Sequence, residues 1–238
     1  DLDSPELEAI AETPAESSEP AEAPVRKIRP FVPLHVHTHY SLLDGATKIP
    51  ELVSIAKDNN MPAVAITDHG VMYGTLELYN TAKYADVKPI VGCDVYVIDG
   101  DITDRSSRQP MYSLVLLAKN LTGYRNLVKL VSRAQMEGFY YKPRIDKEVL
   151  AQYSKGLIAL SSCLKGAIPR LAMNSKEETL RQLTGEYCDI LGKENFYFEI
   201  QPFFKIGNNK NIYPRLVEIS KKLEIPMVAT NEVHYIFK

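Results

Sequence analysis

The sequence predicts an α/β domain built on about seven strands, and three observations carry that prediction. Short apolar runs alternate with longer amphipathic segments from Phe31 onward. The 238 residues, 45% hydrophobic and 24% charged, supply enough apolar material for one sizeable core. All five histidines fall at the ends of predicted strands, at the edge where α/β folds gather functional groups. Composition alone leaves two architectures open, a closed barrel and an open sheet, both built from right-handed crossovers between parallel neighbours.

Taken in order, Asp1 to Pro24 holds eight carboxylates and no Lys or Arg. Residues 1–30 therefore read as a disordered acidic tail, and 31–238 as the folded domain. Pro33–His37 is predicted as the first strand, followed by a helix over Pro50–Asn59. Met61–Thr67 (MPAVAIT) reads as a short buried strand, Tyr73–Tyr84 as a helix and Lys88–Ile98 (KPIVGCDVYVI) as a strand. Strands at Tyr112–Ala118, Gly156–Leu160, Tyr197–Gln201 and Ile225–Ala229 then alternate with helices over 122–136, 176–191 and 210–223. The 122–136 helix is an ordinary amphipathic one, with Arg125, Lys129 and Arg133 on its polar face.

Charge and cysteine content narrow the function classes. The net charge of −2 conceals a split between the acidic first thirty residues and a mildly basic remainder, which neither demands nor excludes nucleic acid. The three cysteines are odd in number and show no CxxC spacing, a usage that fits a reducing compartment. Cys93 and Cys188 read as core. No basic start precedes an apolar run and no stretch is apolar enough to span a bilayer, so a cytoplasmic protein with no membrane partner is expected.

The chemistry gathers at the strand ends. His35, His37 and His39 follow the first strand, His69 the second and His234 the last, with Asp44, Asp68, Asp94, Cys163 and Glu232 nearby. Imidazole, thiolate and carboxylate together suit a divalent metal such as zinc, manganese or iron. His35 and His37 alternate on an extended segment and so share a face. An HxH pair alone is a weak signal; its coincidence with histidines and acids at successive strand ends is a stronger one. Asp68 either orients an imidazole from behind or caps the helix that follows. The cluster Tyr140, Tyr141, Lys142 and Arg144 either stacks on and clamps a nucleic acid strand or packs as a loop. His39 is expected to face solvent.

Longer motifs add a resemblance. Pro33–Gly45 (PLHVHTHYSLLDG), Ala65–Gly74 (AITDHGVMYG) and Ile90–Val97 (IVGCDVYV) resemble the opening motifs of bacterial DNA polymerase III alpha subunits, the replicative C-family polymerases. The likeness continues through LLAKNLTGYRNLVKL, EGFYYKPRID, LIALSSCL and ATNEVHY, covering nearly everything after the tail. It implies an amino-terminal PHP domain, a distorted barrel of seven β/α units with a metal cleft at one end. Carried over by position, its ligands are His35, His37, Asp44, His69, Asp94, Cys163, Glu232 and His234, with Ser113 at a further site.

Three positions depart from the family pattern: Asp94 stands for glutamate, Glu232 for aspartate and Ser113 for histidine. The first two keep their charge. A serine hydroxyl holds borderline ions poorly, so the resemblance implies a partly eroded site for zinc, manganese or magnesium.

An intact site of this kind implies metal-dependent 3′–5′ exonuclease activity; a degenerate one implies a structural scaffold for the polymerase. Polymerization would need carboxylates that hold two Mg²⁺ ions, for which this chain offers no obvious candidate, so the remaining polymerase domains, DNA and other replicase subunits are the implied partners. The alternative is a free-standing PHP phosphatase of the histidinol-phosphatase kind, against which the KNLTGYRNLVKL and EGFYYKPRID stretches argue. The chain stops at Lys238 just beyond a predicted strand, which reads as a truncation, and missing domains would leave exposed apolar surface.

Overall fold

A computed structural model describes residues 31–106, 109–162, 164–174, 177–201 and 212–236. The acidic segment 1–30 and Cys163 lie outside the described residues. Eight strands form one curled sheet: β1 (Ala63–Ile66), β2 (Lys88–Val97), β3 (Tyr112–Ala118), β4 (Phe139–Tyr140), β5 (Lys142–Ile145), β6 (Leu157–Leu160), β7 (Phe196–Ile200) and β8 (Met227–Ala229). Around it lie α1 (Ile49–Asp58), α2 (Thr75–Ala85), α3 (Leu121–Met136), α4 (Lys147–Tyr153), α5 (Ala167–Asn174), α6 (Glu177–Leu191) and α7 (Ile212–Leu223).

Local sequence explains most of these elements. The β1 run AVAI is buried at every position, as a strand covered on both faces must be. Helix α1 starts with Pro50 in its first turn and buries Ile49, Leu52, Val53 and Ala56 along one face. The Asn120 side chain accepts from Gly123 N–H at the start of α3, and Asp146 does the same for Val149 in α4. At Gly123 a Cβ would lie 1.8 Å from the Gly156 carbonyl oxygen, so only glycine lets α3 approach the turn before β6.

The expected parallel neighbours hold for β1–β2, β2–β5, β6–β7 and β7–β8, but β3 runs antiparallel to both β2 and β6. The β2–β3 connection contains no helix among its described residues, and a parallel return is usually made through a crossover helix. The hairpin β4–β5, turning at Tyr141 with φ 61°, and the short helices α4 and α5 were not predicted. No helix among the described residues is long and apolar enough to cross a membrane.

Residues 33–38 form an extended segment rather than the regular strand expected there. On one side Ala65 N–H donates to the Pro33 carbonyl (3.0 Å) and Thr67 N–H to that of Val36 (2.8 Å). On the other, Val233 N–H donates to His35 (3.1 Å) and His37 N–H to Val233 (2.7 Å). The HxH segment thus joins β1 to the chain beyond β8 and closes the curl into a distorted barrel. Ala65, Val115, Leu117 and Leu160 pack together as one small core cluster, while the main core, which includes alternate residues of β3 and β6, lies between β2, β3, β5, β6, β7 and α3–α7.

Candidate metal centre

Five separate stretches deliver polar side chains to one end of the barrel. The extended closing segment supplies His35 and His37, both fully buried, and the following turn supplies Asp44. His69 follows β1, Asp94 lies within β2, and Glu232 and His234 follow β8. Because β3 runs backwards, its first residues rather than its last reach this end. Ser113 there donates a short hydrogen bond to Asp94.

The alternation of His35 and His37 does place both rings on one face, with their Nε2 atoms 3.1 Å apart. His37 lies between two further imidazoles, at ring-centre distances of 4.0 Å to His69 and 4.6 Å to His234. His69 Nε2 is 2.8 Å from Asp44 and its Nδ1 3.0 Å from Asp94. His234 lies 3.5 Å from Asp44 and 3.4 Å from Glu232. All the described residues expected at a metal site therefore meet in one cluster, while His39 is exposed as expected.

Two members of the cluster were missed. Glu199 in β7 is 1% exposed and accepts from His35 Nδ1 at 2.7 Å, from Gln201 Nε2 at 3.0 Å and from the Thr230 hydroxyl. Its signal was a lone acid within the apolar run FYFEI, which a buried strand tolerates only when the acid is paired. Lys165 Nζ lies 2.9 Å from Glu232; nothing in its surrounding sequence marks it out.

The two ring partners fix the tautomers. A carboxylate only accepts, so His35 Nδ1 carries a proton toward Glu199. The Ser41 hydroxyl donates to Asp68 at 2.7 Å and so must accept from His37 Nδ1 at 3.3 Å, leaving His37 Nε2 as a lone pair. Asp68 also accepts from the Thr38 N–H and hydroxyl. It therefore acts through the 38–41 turn on the His37 ring, and the same Ser41 hydroxyl accepts from the His69 backbone N–H at 3.2 Å. Asp68 does not cap α2, whose first-turn flank is Gly74.

Electrostatics follow this arrangement. Burial opposes charge on His35, but the Glu199 carboxylate, with Asp94 and Glu232 behind it, outweighs burial and pushes its pKa up to about 9. Burial first, and then the electrostatic influence of His35, His69, His234 and Lys165, drive His37 far down, so it stays neutral. Burial works against the Glu199, Glu232 and Asp44 carboxylates too. Facing imidazoles, helped by Lys165 at Glu232 and Asp44, nonetheless hold all three below the usual carboxylate range.

These residues fit a divalent cation. Ligand atoms of His35, His37 and Asp94 lie within 4.8 Å of one another, as do those of His37, Glu232 and His234. Glu199 Oε2 is buried without a hydrogen bond among the described residues, and His69 Nδ1 with Asp94 Oδ2 (3.0 Å apart) and His234 Nδ1 (3.5 Å from Asp44) are buried without a well-aligned one; under-satisfied buried polar atoms of this kind are what a cation would satisfy. The mixed nitrogen and oxygen set suits zinc or manganese.

A cleft of about 590 Å³ opens over the cluster, lined among others by Asp44, His69, Tyr96, Tyr141, Lys142 and Lys165. Of the cluster read as either a nucleic-acid clamp or a packed loop, Tyr141 is 71% exposed and Lys142 rests over the Tyr96 ring, 5.4 Å from its centre. Arg144 takes the packed alternative. It is 1% exposed, and its guanidinium donates to the carbonyls of Gly138 (3.0 Å), Ile102 (2.9 Å) and Asp104 (3.1 Å). It is a fold-holding residue that no strand of DNA can touch.

Comparison with known proteins gives the family and the fold. The model of the family described as PHP domain matches residues 33–202. Among curated relatives, the DNA polymerase III subunit alpha of Treponema pallidum is 44% identical over 208 residues, 86% of this chain and 18% of the relative. That of Thermus aquaticus is 42% identical over 214 residues, 87% of this chain and 17% of the relative. The chain thus spans under a fifth of these relatives' length. Among solved structures, a Bifidobacterium adolescentis protein provisionally assigned as a metal-dependent phosphoesterase superposes with a TM-score of 0.54 at 13% identity, covering 85% of this chain and 87% of that one. A Chromobacterium violaceum amidohydrolase gives 0.55 at 12% identity, covering 86% and 87%. At such identity the likeness is one of fold.

Proposed function

The chain belongs to the PHP domain family, and from that premise we propose that it is the PHP module of a bacterial replicative DNA polymerase alpha subunit whose cluster binds divalent metal and cleaves phosphodiesters at a DNA 3′ end. The observation that carries the reading is the double role of His37, which belongs to both donor groups, His35–His37–Asp94 and His37–Glu232–His234. A bound cation supplies Lewis acidity toward a phosphate oxygen and toward water.

The chain's own residues do the rest. Glu199 and the Asp68–Ser41 pair hold the two HxH rings so that both Nε2 atoms face the same point. Lys142 and Lys165 line the cleft and place positive charge where a phosphate backbone would lie. The walls contributed by Tyr96 and Tyr141 limit water and offer faces on which a terminal base can stack. Polymerization itself, with its Mg²⁺, belongs to other domains of the subunit, which with DNA and other replicase subunits are the partners in the cytoplasm. Exposed Leu42, Leu43, Leu76 and Met136 are apolar surface that such domains would cover.

The test is nucleotide release from a 3′-mismatched primer, with Mn²⁺ or Zn²⁺ added, alongside metal content by mass spectrometry. Retained metal and release abolished by His37→Ala support the reading. Retained metal without release would leave a metal-stabilised scaffold, and no retained metal would refute the metal centre.

A further inference from the structure

We propose that Lys165 sets how many cations the centre holds, by placing its own ammonium on the Glu232 side and weakening the second donor position. This rests on the reading of the cluster as a divalent-metal site. The two donor groups differ in burial and in whether a lysine touches them. His35, His37 and Asp94 are all buried, and no lysine contacts them among the described ion pairs. In the other group Glu232 Oε1 already lies 2.9 Å from Lys165 Nζ and 3.4 Å from His234 Nε2, so a ligand oxygen is shared with a cation that the chain itself provides.

The backbone holds the lysine there. Ser113 N–H donates to the Lys165 carbonyl (3.0 Å), and a parallel bridge joins Ser113 to Gly166. The stem of Lys165 therefore starts beside the strand position whose hydroxyl donates to Asp94. A divalent ion at Glu232 must displace Nζ or lie against it, and like charges at contact distance repel strongly in a partly buried site. The Lys165 side chain is 52% exposed and lines the cleft, so it can swing outward. The outcome is competition: one position binds tightly, and the second fills only as Lys165 withdraws.

The chain has an internal control. Lys142 lines the same cleft and carries the same charge, but rests over the Tyr96 ring rather than on Glu232. Titration of the whole chain with Mn²⁺, followed by the electron paramagnetic resonance signal of the free ion, counts bound ions without reference to activity. The wild type is expected to bind one ion tightly and a second more weakly. Lys165→Met, which keeps the stem and removes the charge, should tighten the second by about tenfold and leave the first unchanged, whereas Lys142→Met should leave both unchanged. Two ions bound alike by the wild type and Lys165→Met would overturn the role of Lys165 alone, as would an equal effect from Lys142→Met. Absence of Mn²⁺ binding in every variant would overturn the metal centre and this inference with it.

Discussion

Replacing Glu199 by glutamine removes a buried negative charge while keeping the side chain's size, and its consequences can be worked from the structure. Glu199 is the carboxylate to which His35 Nδ1 donates, and against the opposing effect of burial it makes the largest contribution, ahead of Asp94 and Glu232, to raising that imidazole from 6.5 to about 9. A displacement of that size corresponds to roughly 3 kcal/mol favouring the charged ring, within the range for breaking one side of a buried pair, about 3–5 kcal/mol. The sign follows from linkage. A raised imidazole contributes stability that is complete below its unfolded value near 6.5 and lost as pH rises through about 9. Glu199 is held low, so its contribution is present above its unfolded value of 4.5 and lost as pH falls through its folded one.

In chelator-treated protein, urea denaturation should therefore show Glu199→Gln less stable than the wild type by about 3 kcal/mol near pH 6, with the gap closing toward pH 10. Because Glu199 also orients His35, Mn²⁺ affinity should fall by about 10–100-fold. A stability gap of equal size at pH 6 and pH 10, or unchanged Mn²⁺ affinity, would refute the pairing as described.

Two other substitutions separate holding the fold from meeting the ligand. Arg144→Ala removes a buried guanidinium that donates to the carbonyls of Gly138, Ile102 and Asp104 and should destabilise by about 3 kcal/mol or more, while Lys142→Ala, at the cleft wall, should stay within about 0.5 kcal/mol; equal losses in urea melts would contradict the assignment of Arg144 to the interior. Asp68→Asn weakens the contacts to Thr38 and Ser41 and should lower stability by about 1.5–3 kcal/mol. It should also loosen metal binding through His37, and an Mn²⁺ affinity equal to the wild type would show that the turn does not position that ring.

The periodicity of apolar residues was enough for most of the elements. The AVAI run, the Pro50 start of α1 and the seven residues of β3 each state their structure locally, because burial pattern and capping chemistry act over a few neighbours. The candidate metal donors were legible for a related reason: histidines and acids at strand ends announce themselves by position, and longer motifs tied them to a family. Short elements escaped, since β4 and β5 span two and four residues and α4 seven, too few for a period to register.

What only the tertiary structure decided is which distant groups meet. Antiparallel β3 brings Ser113 to Asp94, and the closing segment lays His35 against Glu199, 164 residues away. Arg144 sits in a sequence that reads as a basic surface cluster, yet the β4–β5 turn folds it onto three backbone carbonyls. Lys165 finds Glu232 from 67 residues away. Local pattern encodes how each segment bends and which face it buries. Charge pairing at a barrel mouth depends on strand order and register, and those emerge only when all the strands have packed.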